Sequence, residues 1–166
     1  TKTISLRITT TLPSTQTFTK DITVLNLATA GLFSNDFDLY GYEPEIDQYK
    51  PKKWSSWNIV HLRSQDWIID MLDEKGIFAE DGSKYTASDI MDKQQVNQLS
   101  TYKTLQFIFE GNSNVGGDLF SIKAANYEKM ANTKLSRSQL SLDFNKDTVK
   151  NENERTNFQT IIVRRA

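Results

Sequence analysis

Residues 104–123 read TLQFIFEGNSNVGGDLFSIK, and this stretch decides the fold that the sequence predicts. Apolar side chains recur at every second position from Leu105 to Phe109, which is the period of a half-buried β-strand. A glycine-rich run with the composition of a turn follows, and a second apolar run begins at Leu119. The pattern predicts two strands joined by a turn, at 104–110 and 119–123.

The same alternation occurs at both ends of the chain. From Ile4 to Ile8, and again from Phe18 to Val24, apolar residues alternate with Thr, Ser, Arg or Lys, and turn residues around Pro13 separate the two runs. Leucine and phenylalanine alternate again before the polar loop near the C-terminus. We therefore predict further strands at 3–10, 16–25, 138–144 and 157–164, and a short one at 58–62.

Helical signals lie between these strand-rich ends. Ser64 can cap a helix that ends near residue 75, with Gly76 as its terminator, and Thr86 or Ser88 can cap a second helix. The dipeptide Asp81-Gly82 between them is typical of a two-residue hairpin turn in which glycine takes a positive φ. We predict helices at 64–75 and 88–99, and a short third helix within 124–132.

This order of elements predicts the fold class. Strands that cluster at both ends, with helices between them, favour a β-rich α+β fold over alternating βαβ units. We expect an antiparallel sheet, or a β-sandwich or jelly-roll-like domain, with two or three helices inserted mid-chain. The length of 166 residues fits one domain spanning 1–166.

The composition excludes several classes of site. The chain has no cysteine and one histidine, which removes disulfides, zinc–cysteine sites and thiol nucleophiles, and makes most transition-metal sites improbable. A net charge of −1 argues against a dedicated nucleic-acid binder. No apolar run approaches the length of a membrane helix. We expect no cofactor and no membrane insertion, and the sequence indicates no cellular location.

The most unusual segment is residues 49–57, where lysines are interleaved with aromatic residues. Lysines can bind phosphates while aromatic rings stack on bases or sugar rings, so the segment is a candidate ligand surface. The alternative is that the tryptophans anchor a loop on the core and the lysines stay in solvent. An acidic stretch at 36–47 disfavours nucleic acid. The candidate residues are Tyr49, Lys50, Lys52, Lys53, Trp54 and Trp57.

A second candidate site is a loop of oxygen-bearing side chains. Its residues match the first, third, fifth, ninth and twelfth positions of an EF-hand calcium loop. Thr148 stands where that loop needs glycine, and a predicted strand precedes it instead of a helix, so an ordinary polar connection is the favoured interpretation. The candidate calcium ligands are Asp143, Asn145, Asp147, Asn151 and Glu154.

Catalytic signatures are weak. No Gly-X-Ser-X-Gly elbow occurs, and the run from Gly111 to Gly117 lacks the lysine and hydroxyl of a phosphate-binding loop. His61, the single imidazole, is expected to be structural or exposed on a strand. An enzyme that uses His61 or carboxylates is therefore the least favoured hypothesis.

The leading functional hypothesis is a non-enzymatic structural or assembly protein, such as a capsid, fibre or pilus subunit. We expect it to self-associate through edge strands at 4–10 and 158–164, with Arg164 and Arg165 pairing with the acidic stretch 36–47 of another copy. The alternative is a binding module for carbohydrate or single-stranded nucleic acid centred on residues 49–57.

Overall fold

The computed structural model describes residues 2–8, 18–24, 31–149 and 155–157. The chain divides into two compact units, Thr1–Ala30 and Gly31–Ala166. In the first unit, strand β1 (Lys2–Ile8) pairs antiparallel with β2 (Phe18–Val24). This pairing confirms the predicted N-terminal hairpin.

The described part of the second unit is mostly helical. The predicted β-rich α+β class, whether antiparallel sheet, sandwich or jelly-roll-like domain, is therefore wrong. The only described strands of this unit are two short ones that pair antiparallel. The elements are α1 (Asp36–Tyr40), a 3₁₀ helix (Ile46–Tyr49), α2 (Asn58–Glu74), α3 (Lys93–Asn112), α4 (Leu119–Arg137), β3 (Gln139–Ser141) and β4 (Arg155–Asn157).

Helix α3 shows why the strand predicted at 104–110 is wrong. It packs against α1, α2, α4 and β3, so side chains on several of its faces are buried, including Leu105, Ile108 and Phe109. A helix buried on many sides is not divided into one apolar and one polar face, so its sequence lacks the 3.6-residue period. The apolar residues between 104 and 110 therefore mimic a strand, although they form the C-terminal half of α3.

The other predicted strands are corrected in the same way. Residues 119–123 form the start of α4, capped by Asp118, whose carboxylate accepts the amide of Ser121. Residues 58–62 form the start of α2. Of the predicted strand 138–144, only β3 is a strand, and residues 158–164 of the last prediction lie outside the described residues.

Helices are present in the three predicted regions, with different bounds: α2 covers nearly all of 64–75, α3 overlaps 88–99 only from residue 93 and continues to Asn112, and 124–132 lies within α4. Helix α2 begins before Ser64, and α3 begins after Asp92, whose side chain accepts the amide of Gln94, so Thr86 and Ser88 are not its caps. The terminator Gly76 is confirmed: it has φ +67° and donates to the carbonyl of Asp73. This is a Schellman ending, in which the left-handed residue satisfies the last carbonyls.

The turn at Asp81 and Gly82 is present in a different form. Gly82 has φ +79° and its amide donates to the carbonyl of Ala79, while the amide of Ala79 donates to Ser83. Asp81 is not among the non-glycine residues with positive φ. The connection is therefore a four-residue turn, Ala79–Gly82, whose last residue is a left-handed glycine, and not the predicted two-residue primed turn.

We expect Gly82→Val to destabilise the domain by about 1 kcal/mol or more, because β-branched residues resist positive φ. A Cβ atom at Gly82 would meet no atom within 4 Å, so crowding adds nothing. Gly111→Val in α3 is the matched control, since that site is equally open but helical. Urea unfolding checks the prediction, and equal midpoints for Gly82→Val and the wild type would contradict it.

Candidate functional site

The core contains a network of buried polar side chains around His61. Its Nδ1 lies 2.8 Å from Ser34 Oγ, and its Nε2 lies 3.2 Å from Asp36 Oδ1. Hydroxyl–hydroxyl hydrogen bonds extend the network from Ser34 to Ser100 and on to Ser64, each at 2.8 Å. Thr104 closes it by donating to Ser64. The network ties the start of α1 to α2 and α3.

The residue types at His61 match those of a hydrolase triad, but the setting is structural. Catalysis needs a nucleophile that a substrate can reach. His61 is fully buried and Ser34 is 2% exposed, and the Ser34 hydroxyl is already hydrogen-bonded to Ser100. Burial lowers the pKa of His61 and keeps the ring neutral, against the opposing effect of Asp36. His61 therefore acts as a core residue of α2.

The aromatic residues of the 49–57 segment lie against the core. Tyr49 ends the 3₁₀ helix and contacts Phe109 edge-on, with ring centroids 6.0 Å apart. Trp57 is 2% exposed, and the partly buried Trp54 packs edge-on against it at 6.0 Å. In this conformation, Trp57 has no free face on which a base or sugar could stack.

The charged residues near this segment divide into paired and free groups. Lys50 forms an ion pair with Asp47 at 2.9 Å, which lowers the pKa of Asp47 and raises that of Lys50. Lys52 and Lys53 are exposed. Four of the five acidic residues in the stretch 36–47 have partners within the chain. Asp36 contacts His61, Asp38 accepts from Asn97, Glu43 accepts from Lys123 and Tyr127, and Asp47 pairs with Lys50. Ligand binding by residues 49–57 stays a prediction.

The candidate calcium loop is held together by its own backbone. The buried carboxylate of Asp143 accepts the amides of Asp147 and Thr148, and Asp147 accepts the amide of Val149. Asn151 and Glu154 lie outside the described residues. Within the described ranges, no group of three or more His, Cys, Asp or Glu side chains is arranged to hold a metal ion.

Helix α4 carries exposed apolar residues on a second face that the sequence analysis missed. Its inner face packs on the core through Ala124, Tyr127, Ala131 and Leu135. Its outer face, which we call the outer stripe, carries Leu119, Ile122, Asn126 and Met130 at a spacing that keeps them on one side of a helix. Leu119 is 64% exposed, Ile122 52% and Met130 37%, and the exposed Asn126 lies between them. Exposed apolar side chains that adjoin one another commonly mark interaction sites.

A pocket of about 430 Å³ lies between α3 and the C-terminal half of α4, and we call it the α3–α4 pocket. Its floor is fixed by Gln98, whose amide donates to the hydroxyls of Tyr102 at 2.7 Å and Tyr42 at 3.1 Å. Burial, together with the hydrogen bond to Tyr42, raises the pKa of Tyr102 to about 12, so its phenol stays neutral at physiological pH. The lining residues are Gln98, Tyr102, Lys129, Met130, Thr133, Lys134 and Arg137.

The α3–α4 pocket contains three cationic side chains. Lys129, Lys134 and Arg137 line it, and within the described ranges none of them has a carboxylate within 4.0 Å. The lysines at positions 50, 84 and 123 each have such a partner. The spacing of Lys134 and Arg137, three residues apart, would have placed these two cations side by side, had residues 119–137 been predicted as one helix.

No helix among the described residues combines the length and the hydropathy that crossing a membrane requires. Comparison of the chain with protein-family models, with curated proteins and with solved structures finds no match.

Proposed function

We propose that this domain is a non-enzymatic binding module whose α3–α4 pocket accepts an anionic group, a carboxylate or a phosphate, attached to an apolar body. The observation that carries the proposal is the convergence of Lys129, Lys134 and Arg137, without acidic partners among the described residues, around a pocket with apolar surface. The chain as a whole is nearly neutral, so this local excess of positive charge is not a general property of its surface.

The two parts of the pocket favour different parts of such a ligand. The guanidinium of Arg137 can bind a carboxylate or phosphate with two parallel hydrogen bonds, and the lysines add point charges. The Met130 side chain and the Tyr102 ring supply apolar surface beside them. Because Gln98 holds the two tyrosine hydroxyls in place, the floor needs little reordering when a ligand binds.

A binding role is favoured over a catalytic one by the position of the reactive groups. The buried His61 and Ser34 are the described residues most similar to a catalytic pair, and a substrate cannot reach them without opening the core. The α3–α4 pocket contains cations, a neutral phenol, an amide and a hydroxyl, but no carboxylate or imidazole to act as a general base.

Isothermal titration calorimetry with phenyl phosphate, inorganic phosphate and phenol at low salt tests the proposal. We expect phenyl phosphate to bind more tightly than either of the others, because only phenyl phosphate offers both the charge and the apolar body. Its affinity should fall as salt is raised, since the cations are accessible to solvent.

Two matched variants locate the site. Arg137→Gln should weaken phenyl phosphate binding about three- to fivefold, the range expected for losing one exposed charge pair. Lys53→Gln removes an equally exposed cation from the 49–57 segment and should leave the affinity unchanged. The proposal would be contradicted if phenyl phosphate did not bind. It would also be contradicted if Lys53→Gln reduced the affinity for phenyl phosphate and Arg137→Gln did not.

A further inference from the structure

We infer that the natural occupant of this surface is a second copy of the same chain, with α4 packed antiparallel against α4 of that copy. This inference rests on the proposed function, because the cations that line the pocket would then lie beside the negatively charged start of α4 in the second copy. It replaces strand-edge pairing with helix pairing as the route to self-association.

The outer stripe is complementary to itself. Leu119, Ile122, Asn126 and Met130 follow one another at intervals of three, four and four residues, so they form one line along α4. When two such helices run antiparallel about Asn126, Ile122 of each copy lies opposite Met130 of the other. A contact of this kind is isologous and closes as a dimer.

The polar residue at the centre of the line is compatible with this pairing. Asn126 of one copy would face Asn126 of the other across the symmetry axis. A carboxamide has both a donor and an acceptor, so the two side chains can hydrogen-bond to each other reciprocally. A single asparagine in an otherwise apolar helix seam fixes the register at some cost in stability. We therefore expect a dimer with one register that dissociates on dilution.

The charges favour the antiparallel direction. Asp118 lies eight residues before Asn126, about 12 Å along the helix, and Lys134 lies the same distance after it. Hydrogen bonds from Ser121 and Asn114 lower the pKa of Asp118 to about 2, so its carboxylate is ionised at neutral pH. Because the carboxylate caps its own helix, it contributes a negative charge and not a free hydrogen-bond acceptor. Antiparallel pairing about Asn126 places Lys134 of one copy opposite Asp118 of the other. Lys129 lies opposite Lys123, whose charge is already balanced by Glu43 of its own chain. Parallel pairing would bring the two cationic ends together.

Sedimentation velocity of the full chain over a range of concentrations tests the inference. We expect the wild type to pass from monomer to dimer as concentration rises, and Ile122→Glu to stay monomeric because it places a carboxylate in the apolar line. Asn132→Glu is the matched control: it adds the same charge at an exposed site of α4 away from the outer stripe, and it should dimerise like the wild type.

Further measurements check that the variants are folded and that the cations of the pocket take part in the contact between copies. Far-UV circular dichroism checks that each variant is folded, and Met130→Glu provides a second disruption of the same contact. Phenyl phosphate should shift the wild type towards monomer, because it competes for the cations.

A wild type that stays monomeric at all concentrations, or a dimer that survives both Ile122→Glu and Met130→Glu, would overturn the inference. If phenyl phosphate still binds in either case, the proposed function stands and only the inferred dimer fails. If phenyl phosphate does not bind, the proposed function fails as well.

Discussion

Trp57→Ala is expected to destabilise the domain by about 3–5 kcal/mol, the range measured for truncating buried aromatic residues. The side chain is 2% exposed and packs edge-on against Trp54. The backbone amide of Trp57, just before α2, donates to the carboxylate of Asp36 at the start of α1. Removing the indole leaves a cavity where the 49–57 segment meets the core. Urea unfolding of the purified variant measures the loss.

Trp54→Ala is the control for this prediction. Trp54 is only partly buried, so its truncation should lower the free energy of unfolding by less than Trp57→Ala does. The pair of variants also separates the two interpretations of the 49–57 segment. A Trp57→Ala protein with wild-type stability would show that Trp57 does not anchor the segment on the core. Residues 49–57 would then again be the favoured ligand surface.

His61→Ala is expected to cost about 2–4 kcal/mol, from the cavity and from the hydrogen bonds left unmade. Ser34 and Asp36 each lose a ring nitrogen as a partner inside the structure. The control is Thr133→Ala, because Thr133 is exposed on α4 and its hydroxyl bonds only to a carbonyl of its own helix. Thermal or urea unfolding measures both variants, and equal stability for the two would contradict the buried network.

The same residue predicts a pH dependence of stability. Burial lowers the pKa of His61 below its ordinary value of 6.5, so the unfolded chain binds a proton more readily than the folded one. Stability should therefore be fully present above pH 6.5 and fall as the pH drops below it. Since His61 is the single histidine, His61→Gln should remove this decline just below pH 6.5. An identical decline in His61→Gln would show that other groups cause it.

The features that were predicted correctly depend on residues that are close together in the sequence. The hairpin of β1 and β2 follows from alternation on either side of a turn, and the ending of α2 follows from the need for glycine at positive φ. Gly82 takes positive φ for the same reason, although the turn around it has a different form from the one predicted. Each of these signals is contained within a short stretch of chain.

The central helices could not be predicted in this way because their patterns depend on what surrounds them. The residues from Leu105 to Phe109 are apolar on several sides because α2, α4 and β3 surround α3. Periodicity identifies a helix only when one of its faces is exposed and polar. The outer stripe blurs the pattern further, because it adds apolar residues to a second face of α4.

The α3–α4 pocket was missed because its parts are far apart in sequence. Tyr42 and Gln98 are 56 residues apart in the sequence, and the cations come from α4. The segment that the sequence did favour, 49–57, combines aromatic and basic residues. Composition alone cannot decide whether such residues bind a ligand or anchor a loop on the core. Packing directs Trp57 inward, whereas Lys52 and Lys53 face solvent.

Amide chemical shifts of the ¹⁵N-labelled protein, followed by NMR during titration with phenyl phosphate, test the central claim most directly. The account predicts that the largest shifts occur around Gln98 and Tyr102 on α3 and from Lys129 to Arg137 on α4. Shifts concentrated in residues 49–57, or no saturable shifts at all, would contradict it.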